Sequence, residues 1–314
     1  MFIFLMKIFP AQENDFELIQ EFVLENERFC LDLSSRLKKG RKNFFVLTHK
    51  ENCICKDDIL AVFFVDKNLF FCFPLFYDDA SPDWSNCEAS DRNEVRTPKV
   101  TELRKAGLED EIRSVLKSFL IERKIAFLSG ERGGCEFLAE ILRECGQSEI
   151  HRNFYNLMAL QNKPQKCDDE LCPDDEIRRC TILDDDVLLD LQKNYLQEEV
   201  ALPAQKISEK DAAIFLRDIL QNQLVFALFC DDEPVAKANT RAIGFNWIQI
   251  GGIYTLPLFR KNGFAHHLIY VLCERIQRAN KIPSLFVNKK NLAAQNLYKK
   301  IGFKNYGEFE NIYF

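Results

Sequence analysis

A short loop between an apolar segment and an amphipathic segment is the feature that most constrains this chain. The apolar run at residues 247–255 predicts a strand, and the spacing of leucine and isoleucine in residues 266–279 predicts a helix. The loop between them contains Gly263, and a glycine in such a place lets the main chain approach a ligand closely. The N–H groups at the start of a helix favour a phosphate group there. Arg260 and Lys261 would add positive charge to the same site.

A second motif follows the next predicted strand, residues 284–287. Asn291, Ala294 and Tyr298 recur at helical spacing on one predicted helix, and Gly302 stands where such a helix would end. Each motif alone is weak, because glycine-containing helix entries are common and Tyr298 could simply cover the core of an amphipathic helix. The two motifs in this order are far more specific than either one alone.

The order strand, Arg-x-x-Gly-x-Ala, helix, strand, Asn-x-x-Ala-x-x-x-Tyr-x-x-x-Gly-Phe resembles the GNAT acetyltransferase superfamily over about residues 175–314. The segments Ile250-Gly-Gly-Ile-Tyr-Thr255 and Val235-Ala-Lys-Ala238 are similar to a bacterial group of predicted acetyltransferases within it. That group has a C-terminal catalytic GNAT domain and a poorly characterised N-terminal half. The resemblance implies an α/β fold of the acyl-CoA N-acyltransferase type, with a mixed sheet flanked by helices.

The resemblance also implies which residues bind acetyl-CoA or another acyl-CoA, in a cleft between the two strands named above. The main chain of Ile253, Tyr254 and Thr255 would pair with the pantetheine arm, and Asn291 would contact it. The residues implied for the pyrophosphate are Arg260, Lys261, Asn262, Gly263, Phe264 and Ala265.

The same resemblance implies the chemistry of acyl transfer to an amine. An amine attacks a thioester carbonyl only when it is neutral, so the reaction needs a base for the amine and an acid for the departing sulfur. Tyr298 would be that acid, and a phenol, with an ordinary pKa of about 10, is protonated at neutral pH. We expect the attack to be direct, without a covalent enzyme intermediate.

The base is the point at which this sequence departs from the family pattern. Many members carry a glutamate on the strand before the phosphate loop, but residues 247–260 contain no acid. Glu199, together with Glu198, is the best candidate, although both could be no more than a polar helix end. His266 and His267 are the alternative, and an exposed position on the helix would explain them equally well.

The first half of the chain has a similar predicted order of strands and helices but neither motif. We therefore expect a degenerate GNAT-like domain over residues 1–160, a polar linker over residues 161–175 and the catalytic domain over residues 176–314. Residues 78–99 predict a long surface loop, and the glycine-rich residues 130–134 predict a turn rather than a phosphate loop. This half would contribute to an acceptor site or an interface and would bind no acyl-CoA of its own.

The net charge and the hydropathy of the chain limit the classes of partner that it is expected to bind. The chain has 42 Lys and Arg against 48 Asp and Glu, a net charge of −6, which predicts no binding to nucleic acid or to a membrane surface. No run approaches the roughly 20 apolar residues of a membrane span. Residues 1–10 are apolar but lack the features of an export signal, so the expected location is the cytoplasm.

Twelve cysteines raise the question of a metal site. The best candidates are the pair Cys53 and Cys55 and the pair Cys167 and Cys172, but neither has the usual spacing or a nearby histidine. We expect free thiols in a reducing compartment and no metal.

These observations predict an acetyl-CoA-dependent N-acetyltransferase, an acyltransferase that transfers groups other than aminoacyl groups. The acceptor would be an amine of a small molecule or a protein, and a homodimer is the candidate assembly. One alternative is a non-catalytic acyl-CoA-binding sensor or interaction protein, which the missing strand acid favours. Another is a two-domain GNAT-like aminoacyl transferase, which the intact phosphate loop and the acidic chain disfavour.

Overall fold

The structure is a computed structural model that describes residues 6–49, 55–77, 108–168 and 170–314. The chain divides into two compact units, unit 1 with Met1–Leu157 and Asn305–Phe314, and unit 2 with Met158–Lys304. The predicted loop at 78–99 and Cys53 lie outside the described residues. In the described part of the chain, no helix is both long and apolar enough to cross a membrane.

Unit 1 is built on a mixed sheet with helices packed against it. Its strands are β1 (Lys7–Pro10), β2 (Phe44–Thr48), β3 (Ile59–Val65), β4 (Asn68–Cys72) and β5 (Phe127–Glu131). Its helices are α1 (Phe16–Asn26), α2 (Leu31–Lys39), α3 (Leu108–Leu120) and α4 (Arg132–Glu144). Successive strands from β1 to β4 pair antiparallel, and β5 lies parallel to β4. The apolar runs of β3 and β4 are almost wholly buried, as expected for strands covered on both faces.

Unit 2 repeats this arrangement. Its strands are β7 (Glu176–Cys180), β8 (Val225–Cys230), β9 (Glu233–Ile243), β10 (Trp247–Thr255) and β11 (Ile282–Asn288). Its helices are α5 (Asp185–Tyr195), α6 (Glu209–Asn222), α7 (Phe264–Arg278) and α8 (Leu292–Ile301). The strands from β7 to β10 pair antiparallel, and β11 lies parallel to β10. The predicted α/β class and the shared element order of the two halves are therefore confirmed.

One further strand lies near the end of each half of the chain. β6 (His151–Ala159) begins in unit 1 and ends in unit 2. β12 (Lys304–Tyr313) pairs antiparallel with β5, from Phe309 opposite Glu131 to Tyr313 opposite Phe127. This pairing is why residues 305–314 group with unit 1, whereas the sequence leads one to expect them in the second domain.

The glycine-rich residues 130–134 form neither a turn nor a phosphate loop, so the predicted turn is wrong. β5 runs directly into α4, and the Glu131 carboxylate accepts a hydrogen bond from the Gly134 N–H at 3.2 Å. A Cβ at Gly130 or Gly134 would lie 2.2 or 2.4 Å from the Phe71 ring. These two glycines serve close packing, and the helix start is capped by a carboxylate of the chain itself.

Candidate functional site

β10 and β11 part from each other at one end of the sheet of unit 2. Their parallel pairing ends at Ile250 opposite Leu285, and both strands continue, β10 to Thr255 and β11 to Asn288. Strands that diverge leave the N–H and C=O groups on their facing edges to other partners. An extended ligand can therefore pair with the main chain of β10 over residues 251–255.

The opposite edge of β10 carries a β-bulge at the same level. Gly251 lies opposite Asn239 and Tyr254 lies opposite Lys237, so three steps along β10 match two along β9. Gly252 stands in the bulge with a φ of +58°, and a Cβ there would lie 1.9 Å from Asn239 Oδ1. Both the left-handed backbone and this close approach require glycine.

A fully buried lysine, Lys237, lies beside the bulge. Its Nζ donates to the Gly252 carbonyl oxygen at 3.0 Å and to Asn239 Oδ1 at 3.4 Å. Nζ also lies 4.9 Å from the centre of the Tyr195 ring. None of these three groups carries a negative charge, and burial lowers the pKa of Lys237 from 10.5 to about 7.

The loop before α7 has a backbone shape suited to an anion. Lys261 and Gly263 have φ values of +71° and +75°, and Gly263 is the N-cap of the helix. The first main-chain bond of the helix runs from His267 N–H to the Gly263 carbonyl at 3.1 Å. The main-chain N–H groups that precede His267 at the start of α7 therefore have no carbonyl acceptor within the helix. No acidic residue stands in its first turn.

Arg260 connects this loop to the segment after α5. Its Nη2 donates to Glu198 Oε2 at 2.7 Å, and its Nε donates to the Thr255 carbonyl at 3.0 Å. The Tyr254 hydroxyl donates to the other carboxylate oxygen of Glu198 at 2.5 Å. Desolvation raises the pKa of Glu198, but the hydrogen bonds from Tyr254 and Arg260 outweigh it, and the net pKa is lowered. Glu198 is thus an anion held by two donors.

A π-helical turn, Leu196–Val200, follows α5 and brings Glu199 near two tyrosines. The Tyr195 hydroxyl is hydrogen-bonded to the main chain of Gly252 in the bulge. Tyr298 is buried on α8, and burial, the charge of Glu199 and the proximity of Tyr195 all raise its pKa. Glu199 reaches solvent, yet desolvation and the charge of the preceding glutamate raise the pKa of its carboxyl. Glu199 and Tyr298, the predicted base and the predicted acid, are therefore close enough to interact electrostatically.

Two other predicted residues have structural partners. Asn291 precedes α8 rather than lying within it, and its Oδ1 caps the helix by accepting from the Ala294 N–H at 3.0 Å. His266 is buried, not exposed, and its Nε2 lies 2.9 Å from the Gln165 carbonyl oxygen.

The other residues predicted to bind the pyrophosphate lie in the loop before α7 and in the first turn of that helix. Lys261 and Asn262 are exposed in the loop, and Ala265 is half-buried in the first turn of α7. The side chain of Phe264 is buried in the core of unit 2, so only its main chain faces the helix start.

The sequence predicted no role at this site for Lys237, for Tyr195 or for the side chain of Tyr254. A signal for Lys237 was present, because it is a charged residue inside the apolar stretch Val235-Ala-Lys-Ala238. A charge within a strand buried on both faces needs polar partners, and those partners lie too far along the chain to be read from the sequence.

Three of the four cysteines considered for a metal lie within the described residues. Cys55 and Cys172 are exposed free thiols, and Cys167 is a half-buried one. Within residues 6–49, 55–77, 108–168 and 170–314, no group of three or more His, Cys, Asp or Glu side chains could hold a metal ion.

Comparison with known proteins bears on the fold. Residues 235–313 match the family described as FR47-like protein. A Drosophila protein of known structure is 15% identical, with a TM-score of 0.62 over 98% of this chain and 97% of that one. An acetyltransferase of the GNAT family from Colwellia psychrerythraea is 10% identical, with a TM-score of 0.57 over 98% of this chain and 99% of that one.

A shorter likeness is to a GNAT-family protein from Novosphingobium aromaticivorans, 19% identical with a TM-score of 0.41. It covers 52% of this chain and 65% of that one, so the present chain spans just under two thirds of that relative. No curated protein matches the sequence.

The two whole-length likenesses, with TM-scores of 0.62 and 0.57, support the fold that the resemblance implies. At identities this low they establish the fold rather than the reaction. The chain has the fold of the GNAT acetyltransferases and carries an FR47-like, GNAT-related domain over residues 235–313.

Proposed function

We propose that unit 2 binds acetyl-CoA, or another acyl-CoA, and transfers its acyl group to an amine. The observation that carries this proposal is the divergence of β10 and β11 in a unit in which Glu199 and Tyr298 also interact electrostatically. A thioester held along the free edge of β10 would lie near a carboxylate and a phenol, which are the two proton-transfer groups that the reaction needs.

In this proposal the main chain provides most of the binding. Ile253, Tyr254 and Thr255 pair with the pantetheine arm, and the N–H groups at the start of α7 bind the pyrophosphate. Arg260 is paired with Glu198 in this structure, so a bound phosphate would compete with that carboxylate for the guanidinium. Binding therefore exchanges one anionic partner of the guanidinium for another.

Glu199 and Tyr298 divide the proton transfers. Glu199 takes a proton from the amine, directly or through water, as the amine nitrogen bonds to the thioester carbon. The carbon–sulfur bond then breaks, and Tyr298 gives its proton to the sulfur. Once Glu199 is protonated, its charge no longer opposes ionisation of Tyr298, so the phenol becomes a stronger acid when the thiolate leaves.

The acceptor in this proposal is an amine of a small molecule or a protein, in the cytoplasm. Release of CoA from acetyl-CoA in the presence of an amine would support the enzymatic function. Tight binding of acetyl-CoA without release of CoA by any amine would favour the sensor instead.

The binding step is tested at Gly263. We compare Gly263→Asp with Gly263→Asn, because both residues tolerate a positive φ and both cap helices, and they differ mainly in charge. We expect calorimetry to show acetyl-CoA binding to the wild type and to Gly263→Asn, and at least about tenfold weaker binding to Gly263→Asp, since 1.4 kcal/mol of repulsion suffices for that. Equal affinity of the two variants would place the pyrophosphate elsewhere, and a wild type that binds no acetyl-CoA would refute the proposal.

A further inference from the structure

Lys237 is buried beside the bulge of β10, and the steps proposed above do not use it. Loss of hydration makes a buried lysine costly, and an apolar side chain of similar length would avoid that cost. What distinguishes the lysine here is its hydrogen bond to the Gly252 carbonyl at 3.0 Å.

This hydrogen bond determines the direction of one peptide group. The bond between Gly252 and Ile253 is trans, so its C=O and N–H groups point in opposite directions. Lys237 belongs to β9, and its Nζ fixes the direction of this C=O group. The Ile253 N–H therefore points away from Lys237 Nζ, on the part of β10 that extends beyond its pairing with β11.

Two neighbours keep this arrangement in place. Asn239 Oδ1 accepts from Lys237 Nζ at 3.4 Å, while the Asn239 Nδ2 donates to the Thr240 carbonyl at 2.7 Å. The Tyr195 hydroxyl is hydrogen-bonded to the main chain of Gly252. The bulge is thus held by side chains of β9 and of α5.

Resting on the proposed function, we propose that Lys237 is a positioning residue that orients the Ile253 N–H toward the thioester oxygen of a bound acyl-CoA. That oxygen gains negative charge when the amine adds to the carbon, and a donor already fixed in place stabilises the charge. Lys237 does not touch the substrate in this scheme and acts only through the peptide group.

The sequence offers a selective probe of this peptide group, because Gly252-Ile253 is the only Gly-Ile pair in the chain. Full-length protein labelled with carbonyl-¹³C glycine and ¹⁵N isoleucine gives a single carbonyl-correlated amide signal, from the Gly252 carbonyl and the Ile253 N–H. The variants are Lys237→Met, which keeps the length and removes the donor, and Lys206→Met, an exposed control in the same unit.

We expect saturating acetyl-CoA to move the Ile253 amide proton of the wild type and of Lys206→Met downfield, as a new hydrogen bond does. In Lys237→Met the carbonyl signal shifts already without ligand, and the ligand-induced proton shift falls to less than half, although calorimetry gives an affinity within about threefold of the wild type. A Lys237→Met signal that behaves as in the wild type overturns the inference.

If Lys237→Met does not fold, the wild type alone can still overturn the inference. An amide proton that stays in place when calorimetry shows the ligand bound overturns the inference and leaves the proposed function standing. Absence of any acetyl-CoA binding would instead refute the proposed function. With an active acceptor, Lys237→Met should lower kcat about ten- to a hundredfold and leave KM for acetyl-CoA nearly unchanged, less than the full loss of an oxyanion donor.

Discussion

Arg260 and Glu198 form an ion pair in which Nη2 and Oε2 lie 2.7 Å apart, across 62 positions of sequence. The pair joins the loop before α7 to the π-helical turn after α5. A ligand phosphate at the start of α7 and the Glu198 carboxylate would compete for the same guanidinium, so the pair opposes binding of the ligand.

The first prediction concerns this competition. Glu198→Gln keeps the shape of the side chain and removes its charge, and it should lower the Kd of acetyl-CoA about two- to fivefold at low salt, since an exposed pair of this kind contributes up to about 1 kcal/mol. The gain should shrink at high salt. Glu274→Gln, which breaks the Arg278 pair at the other end of α7, is the matched control and should leave the Kd unchanged. Weaker binding to Glu198→Gln would contradict the competition.

The second prediction concerns the acid. Tyr298→Phe removes the proton donor without removing the ring, so kcat should fall at least about tenfold while the Kd of acetyl-CoA changes less than twofold. Tyr270→Phe, whose hydroxyl donates to Glu274 on the same helix, is the control. Release of CoA measured by chromatography, together with calorimetry, gives both quantities. An unchanged kcat would remove Tyr298 from the mechanism.

The third prediction concerns pH. Glu199 accepts a proton only when ionised, and desolvation and Glu198 raise its pKa, so kcat/KM should show a rise with pH through this raised pKa, below the separate rise that comes from deprotonation of the acceptor amine. Glu199→Gln should lose this rise and most of the activity. Glu198→Gln removes the neighbouring charge and should move the rise to lower pH. The same pH profile in Glu199→Gln and in the wild type would mean that another group is the base.

The fourth prediction concerns the bulge. Gly252→Ala places a Cβ 1.9 Å from Asn239 Oδ1 at a positive φ, so it should lower the free energy of unfolding by more than the 1–2 kcal/mol typical of the left-handed backbone. Gly251→Ala is the control, because the nearest atom to its Cβ would be Arg241 Cβ at 3.5 Å, an ordinary contact. Urea unfolding followed by circular dichroism compares the two. Equal stabilities would show that the bulge readily relaxes.

The parts of the site that depend on local conformation could be predicted from the sequence. Gly263 and Gly302 were expected at helix boundaries, and they are the N-cap of α7 and the C-cap of α8 with positive φ values. Such positions are selected by backbone conformation alone, which a single residue type reveals.

The parts of the site that depend on contacts between distant residues could not be predicted from the sequence. Glycines at 130 and 134 were interpreted by the same local rule, but the Phe71 ring is what requires them. The contact of Lys237 with Gly252 likewise depends on the bulge that places them together. A side chain's chemistry can be read from the sequence, whereas its partner is chosen by the packing of separate elements.

The pairing of β12 with β5 has a consequence for how the protein is made. A ribosome produces β5 before any of unit 2 and β12 only after all of it, roughly 10–40 s later at ordinary elongation rates. During that interval one edge of β5 lacks its neighbour, and an open strand edge is a site of mispairing. Unit 2, although it is made later, therefore completes its fold before unit 1 does. Until β12 arrives, the chain needs protection at the edge of β5 that β12 covers in the mature protein.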